Sequence, residues 1–254
     1  MKLEENKFTI VIPLIPQHDF EIKRILRLLV NEQYLIKELI ICRSETRDSG
    51  RASEKRYNRA AYDVGFVKEI KVDWVREVAR DGTNRNRGWS KATTEFVAFL
   101  DADDFYSKSR LSIILENFKS TGADAIVHNY NSTGSITSDF ETRSPDQSKN
   151  SKVVLGKKGV AGGYLADLDG NELKVHFAHM SVRNEIKSKL MYTDRFPGAD
   201  WEFATALVER GYQVRYISAE LSAWNRKRSA RYLVRIYKMR LFAKLNEFMK
   251  VKLN

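Results

Sequence analysis

The sequence predicts an α/β fold: a mostly parallel central sheet flanked by helices, then a smaller β-hairpin region and a C-terminal helix. Three observations carry this. Short apolar and β-branched runs alternate with amphipathic stretches through the first half of the chain, the pattern of parallel strands buried on both faces. The 254 residues are 43% hydrophobic and 30% charged, enough for a substantial core and unlike a disordered chain. Thirteen glycines and four prolines exclude collagen-like or low-complexity organisation.

The elements follow in order. Phe8 to Ile15 is a first strand, with Pro13 at its end because proline has no amide to give to a ladder. Asp19 is a candidate N-cap for a helix on which Ile22, Ile25, Leu26, Leu29 and Val30 recur at helical spacing. Leu39 to Cys42 predicts a strand, Arg43 to Arg51 its exit loop, Tyr57 to Val64 a helix and Phe66 to Trp74 a third strand. Gly82 to Gly88 reads as a loop leading into a short helix through Ala92. Glu95 to Leu100 is a buried strand running straight into Asp101-Ala102-Asp103-Asp104. A helix over Lys108 to Lys119 and a strand over Ala123 to His128 complete an alternation that predicts right-handed crossovers.

Gly134 to Lys152 is polar and reads as a loop or inserted flap. Asp169-Gly170, between Gly163 to Ala166 and Leu173 to Phe177, predicts a hairpin. Val182 to Leu190 and Trp201 to Arg210 read as helices, with Gly211 a stop for the second, and Val214 to Ile217 as a short strand. From Ser229 onward, Val234, Tyr237, Leu241, Leu245 and Phe248 share one helical face.

The net charge is +11, and Arg226 to Asn254 holds ten basic residues against one acid. The remainder is nearly neutral, which argues for one local anionic partner and against a nucleic acid wrapped over the whole surface. Cys42 is the single cysteine and excludes an internal disulfide. Met1 to Asn6 is polar and acidic, and the apolar runs are strand-sized, so the reading is cytoplasmic.

Three carboxylates within four positions at the mouth of a buried strand repel one another, and a hard divalent ion relieves that repulsion. The alternative is a solvated Asp-rich turn capping the next helix. Asn84-Arg85-Asn86-Arg87-Gly88 offers a guanidinium and amides suited to a phosphate or sugar hydroxyls; taken alone it is equally a surface turn.

Together the motifs resemble family 2 glycosyltransferases of the GT-A, Rossmann-like fold. The residues that carry the resemblance are Ile12-Pro13, Asn84-Arg85-Asn86-x-Gly88, Phe99-Leu100-Asp101-Ala102-Asp103-Asp104, Gly198-Ala199-Asp200-Trp201-Glu202-Phe203 and Gly211, over roughly residues 8 to 228. The resemblance implies a domain over 1–228, with a nucleotide-sugar half to about 130 and an acceptor half beyond it, and a basic helix over 229–254. It implies that Asp103 holds Mn²⁺ or Mg²⁺ against a donor diphosphate, with Asp101 at the nucleotide or its ribose and beside the ion. Pro13, Arg85, Asn86, Ala102, Arg226 and Arg228 would border the donor. Asp200 would be the general base of an inverting transfer, or alternatively a helix N-cap.

Departures from the family pattern are visible too. Cys42-Arg43-Ser44-Glu45-Thr46 stands where the family has Asp-Asp-Gly-Ser, which leaves the donor base open, and Ala199 replaces the Glu of the Glu-Asp pair. No histidine follows His179, so a late His metal ligand is absent. His176, His179 and Trp201 lie toward the implied acceptor side; Trp224 is a second candidate near the site, while Trp74 and Trp89 read as core. The implied acceptor is a glycan or lipid-linked hydroxyl in surface polysaccharide biosynthesis. The basic tail would meet an anionic membrane, a partner helix, nucleic acid or its own domain. Nucleotidyl transfer on the same scaffold and a non-catalytic basic binding protein are the competing readings.

Overall fold

The computed structural model describes residues 4–44, 50–77, 79–131, 150–156, 165–173, 175, 177–195 and 198–223. Within them run β1 (Glu4–Leu14), α1 (Ile22–Leu29), β2 (Ile36–Ser44), α2 (Gly50–Val64), β3 (Glu69–Val75), α3 (Asp81–Lys91), β4 (Thr94–Phe99) and β5 (Phe105–Tyr106). There follow α4 (Arg110–Thr121), β6 (Ala125–Asn131), β7 (Asn150–Lys152), β8 (Val154–Leu155), β9 (Leu165–Ala166), β10 (Ser181–Arg183), α5 (Ala199–Glu209) and β11 (Val214–Ala223).

The main sheet has the order β3-β2-β1-β4-β10-β6-β11-β5, with β7 also on β11. β1, β2, β3 and β4 are parallel, as are β6 and β11, while β10 runs against both β4 and β6. The expected mostly parallel α/β sheet is thus present. The period of two along β1 explains the two cores. Phe8, Ile10, Ile12 and Leu14 join Ile25 and Leu26 of α1 and Ile114 and Phe118 of α4 on one side. Val11 joins Trp89 of α3 and Phe203 of α5 on the other.

Several elements differ from their sequence reading. Gly82 to Gly88 is not a loop but most of α3. Its polar, glycine-containing run has little helical propensity of its own, so tertiary packing supplies the helix. A Cβ on Gly88 would lie 2.5 Å from Val11 Cγ1 and 2.8 Å from Cys42 Sγ, and one on Gly82 would lie 2.3 Å from the Thr193 carbonyl oxygen. Glycine therefore lets α3 lie directly on β1 and β2, where Trp89 is fully buried among Phe99, Phe203 and Tyr192.

Asp19 is not an N-cap. It sits inside a 3-10 helix, Pro16–Glu21, that precedes α1, and its carboxylate accepts from Arg43, Arg56 and Tyr57. Val182 to Leu190 is β10 followed by the 3-10 helix Asn184–Ser188, because Val182 is captured between β4 and β6. The Asp169-Gly170 turn forms, and among the described residues it is closed by the Ala166–Glu172 bridge, with the Asp167 amide donating to the Asn171 carbonyl at 3.0 Å and the Leu173 amide to the Leu165 carbonyl at 2.9 Å. β11 runs to Ala223, beyond the expected Ile217. Residues 132–149 of the expected flap, and Trp224, Arg226, Arg228 and the 229–254 helix, lie outside the described residues. Among the described residues no helix is long and apolar enough to cross a membrane.

Candidate functional site

β1 has β2 on one side and β4 on the other, so chain order reverses between β1 and β4. A crevice at the carboxyl ends of such strands is where open α/β sheets bind ligands. Pro13, the penultimate residue of β1, lies there, buried and in register with Cys42. The Leu100 amide donates to the Val11 carbonyl at 3.0 Å, and the chain turns through Asp101 to Asp104.

The backbone of that turn is held on three sides. Arg24 of α1 donates to the carbonyls of Ala102 at 3.1 Å and Asp104 at 2.8 Å, and its guanidinium lies 4.3 Å from the centre of the Phe105 ring. The Tyr106 hydroxyl donates to the Asp101 carbonyl. With these carbonyls engaged, the turn offers the crevice its carboxylates. Ala102 itself is buried, so it contributes backbone only.

Asp101 Oδ1 accepts from Arg85 Nη2 at 2.5 Å. Arg85 is a buried residue of α3 lying 5.6 Å over the Tyr192 ring. Burial pushes the Asp101 carboxyl up to about 7; the charges of Asp104, Asp81 and Asp103 push the same way, while Arg85 opposes them. The charges of Asp101 and Asp200 both act on Arg85, raising it, and on Tyr192, whose hydroxyl is raised chiefly by burial. Asp200 therefore shares the electrostatic environment of the acidic turn.

The remaining predicted residues divide between the crevice and the framework. Asp103 is about a quarter exposed, and its Oδ2 lies 3.9 Å from His18 Nε2. Asn86 faces the framework: its amide nitrogen donates to the Tyr192 carbonyl at 2.8 Å, and its side-chain oxygen accepts from the Tyr192 amide at 2.9 Å. Asp200 is the second residue of α5, half-buried, and Gly198, at φ 110°, takes the cap position that had been the alternative for Asp200. Trp201 is 36% exposed beside it.

His179, which the resemblance set toward the acceptor side, ends the 3-10 helix Phe177–His179. It is fully buried, with Nε2 3.3 Å from Asp104 Oδ2 and its ring against Tyr106. Its carbonyl accepts from Arg110, whose Nε donates to His128 Nε2 at 3.2 Å. This places it beneath the turn and not at an accessible acceptor surface.

The donor set suits a hard divalent ion. Ligand atoms of Asp101, Asp104 and His179 lie within 4.8 Å of one another, with Asp103 next in the chain. Burial first, and then the neighbouring carboxylates, disfavour the charged form of Asp101, a cost that a bound cation offsets. His18, Arg24 and Tyr192 were not singled out from the sequence, and Asp104 was read only as one of the three carboxylates of the turn. His18 and Arg24 sit in an unremarkable polar stretch, and only the fold brings them to the turn.

The family model described as glycosyl transferase family 2 matches residues 9–164. Among solved structures, the S. aureus TarS 1-349 complex with UDP-GlcNAc aligns with a TM-score of 0.62 at 12% identity, covering 88% of this chain and 59% of that one. The Pyrobaculum calidifontis mannosyltransferase PcManGT, in complex with GDP-Man and Mn²⁺, aligns at 0.61 and 13% identity, covering 91% and 60%. A mycobacterial protein aligns at 0.59 and 15% identity, covering 90% and 70%. The chain thus spans about three-fifths of the length of the first two. A search of the curated proteins finds no match. The sheet of mostly parallel strands flanked by helices is the GT-A glycosyltransferase fold, and with more than half of its length matched by the family model, the chain belongs to glycosyl transferase family 2.

Proposed function

We propose that this protein transfers a sugar from a nucleoside-diphosphate donor to a hydroxyl of a glycan or lipid-linked acceptor, with inversion, in surface polysaccharide synthesis. The observation that carries this is the backbone-clamped Asp101–Asp104 turn at the β1/β4 crevice, with Arg85 on one carboxylate and Asp200 within electrostatic reach. The donors in the TarS and PcManGT structures, UDP-GlcNAc and GDP-Man, support a nucleotide sugar as substrate.

Asp103 and Asp101 would hold a divalent ion, which when bound supplies positive charge opposite the departing diphosphate. Arg85 keeps Asp101 oriented and opposes the burial that disfavours its charged form. Asp200 accepts the acceptor hydroxyl's proton as it attacks from the face opposite the leaving group, and the exposed part of Trp201 offers a flat apolar surface for a sugar ring. The basic segment containing Arg226 and Arg228 follows β11, whose last residue, Ala223, pairs with Phe105 next to the acidic turn. We assign that segment to the diphosphate and the tail beyond it to an anionic membrane face, with the protein in the cytoplasm.

A thermal-shift panel of nucleoside diphosphates with and without Mn²⁺ tests the reading, because a ligand that binds only the folded state raises Tm. One base should give a Mn²⁺-dependent shift. Asp103→Ala should abolish it, and Asp200→Asn should keep it while losing transfer. No shift with any nucleotide would overturn the reading, and pyrophosphate release from a nucleoside triphosphate supplied with a sugar phosphate would replace it with nucleotidyl transfer.

A further inference from the structure

Two histidine–carboxylate pairs flank the acidic turn, and they differ in kind. His179 and Asp104 are both buried, 3.3 Å apart, beneath the turn. His18 and Asp103 are each about a quarter exposed, with Nε2 and Oδ2 3.9 Å apart at its mouth. That gap is too long for a hydrogen bond. It lies within the roughly 4.2 Å that two ligand atoms, each about 2.1 Å from one small divalent ion, can span, and a modest closing of the pair brings them to the roughly 3 Å of adjacent coordination sites. An ion of this class keeps several positions for water and phosphate oxygens, for which the part-exposed pair leaves more room than the buried one.

The chain also fixes His18 through the residues that follow it. Asp19, the next residue, is gripped by Arg43, Arg56 and Tyr57. Glu21 accepts from Arg24 Nε at 2.6 Å, and the same Arg24 holds the Ala102 and Asp104 carbonyls. The 3-10 helix that carries His18 is therefore tied through Arg24 to the carbonyls of the residues on either side of Asp103. Such bracketing preorganises a ligand pair.

We propose that His18 Nε2 is a protein ligand of the divalent ion, sharing it with Asp103, so that the imidazole enters from the β1 exit and not from the C-terminal part of the chain. An imidazole in the set favours Mn²⁺ over Mg²⁺, since nitrogen ligands suit the transition metal and Mg²⁺ prefers oxygen. This rests on the proposed function only in requiring a metal–nucleotide complex.

The test is pulsed electron paramagnetic resonance on the full chain with Mn²⁺ and the nucleoside diphosphate that gives the thermal shift. The wild type should show ¹⁴N modulation from a directly bound imidazole, and His18→Gln should lose it. Mn²⁺ affinity, read from the free-ion signal, should fall by about tenfold in His18→Gln while Mg²⁺ affinity changes by less than about threefold. Circular dichroism and the metal-free Tm of the variant should match the wild type. Mn²⁺ bound with no nitrogen coupling in the wild type, or coupling that survives His18→Gln, overturns the proposal. Failure of Mn²⁺ to bind with any nucleotide would instead overturn the functional reading on which it rests.

Discussion

Gly88→Ala is the sharpest test of how the sequence builds this crevice. The added methyl would sit 2.5 Å from Val11 Cγ1, 3.3 Å from Val11 Cγ2 and 2.8 Å from Cys42 Sγ. Relaxed carbon contacts are about 3.5–4.0 Å, so roughly 1 Å must be found. Neither neighbour yields easily, since both are fully buried and a β-branched valine has a stiff χ1. Overpacking of this size costs about 1–3 kcal/mol, and alanine returns about 1 kcal/mol of helix propensity. The expected net loss is about 1–2 kcal/mol in urea unfolding followed by circular dichroism. Arg85 lies one turn earlier on α3, so outward movement of the helix should also loosen its contact with Asp101 and weaken nucleotide binding. Val11→Ala removes the closest clashing atom, so the Gly88→Ala/Val11→Ala pair should be more stable than the sum of the single losses by about 1 kcal/mol or more. An unchanged or raised stability in Gly88→Ala, or simple additivity in the pair, would refute the close-approach argument.

Other expectations follow from the same geometry. Arg24→Gln removes charge-assisted bonds to the Ala102 and Asp104 carbonyls and to Glu21; urea unfolding should show a loss of about 1.5–3 kcal/mol, with weaker nucleotide affinity in titration calorimetry. Arg85→Lys keeps the charge but loses the planar fork, so metal–nucleotide affinity should fall about tenfold with the circular dichroism spectrum retained. Glu38 is a buried acid at the opposite end of β2: burial raises its pKa, but hydrogen bonds from Lys71, Thr9 and Thr93 outweigh that and hold it below 4.5. Its carboxylate therefore stabilises the fold fully above 4.5, and that contribution is lost as pH falls through the lowered value. The stability gap between wild type and Glu38→Gln should be about 1–2 kcal/mol at neutral pH and should shrink in acid; a gap independent of pH would contradict the assignment.

What could be read from the chain, and what could not, follows from where each signal resides. β1 and β4 are buried on both faces, so their composition alone declares them, and the acidic turn is legible because it follows β4 directly. α3 escaped because its two close-packed glycines look like loop punctuation until the strand beneath them is known. Asp19 resembled a cap, but its three partners come from β2 and α2, at separations that no local pattern encodes. His179 was visible as a histidine, yet only the fold buries it on Asp104. His18 and Arg24 carried no signal because their meaning is entirely a matter of which turn they meet.

The placement of β6 bears on how the polypeptide matures. Its two sheet neighbours, β10 and β11, both follow it in the chain, and β4 does not pair with it. While the ribosome has released only the residues through Asn131, the apolar strand Ala125-Ile126-Val127 has no partner and β4 has a bare inner edge. Unpaired edges of this kind invite pairing with other chains. The nascent protein should accordingly be a chaperone client until Arg183 emerges, and gain resistance to protease in two steps, first as β10 seats and then as β11 closes the far side.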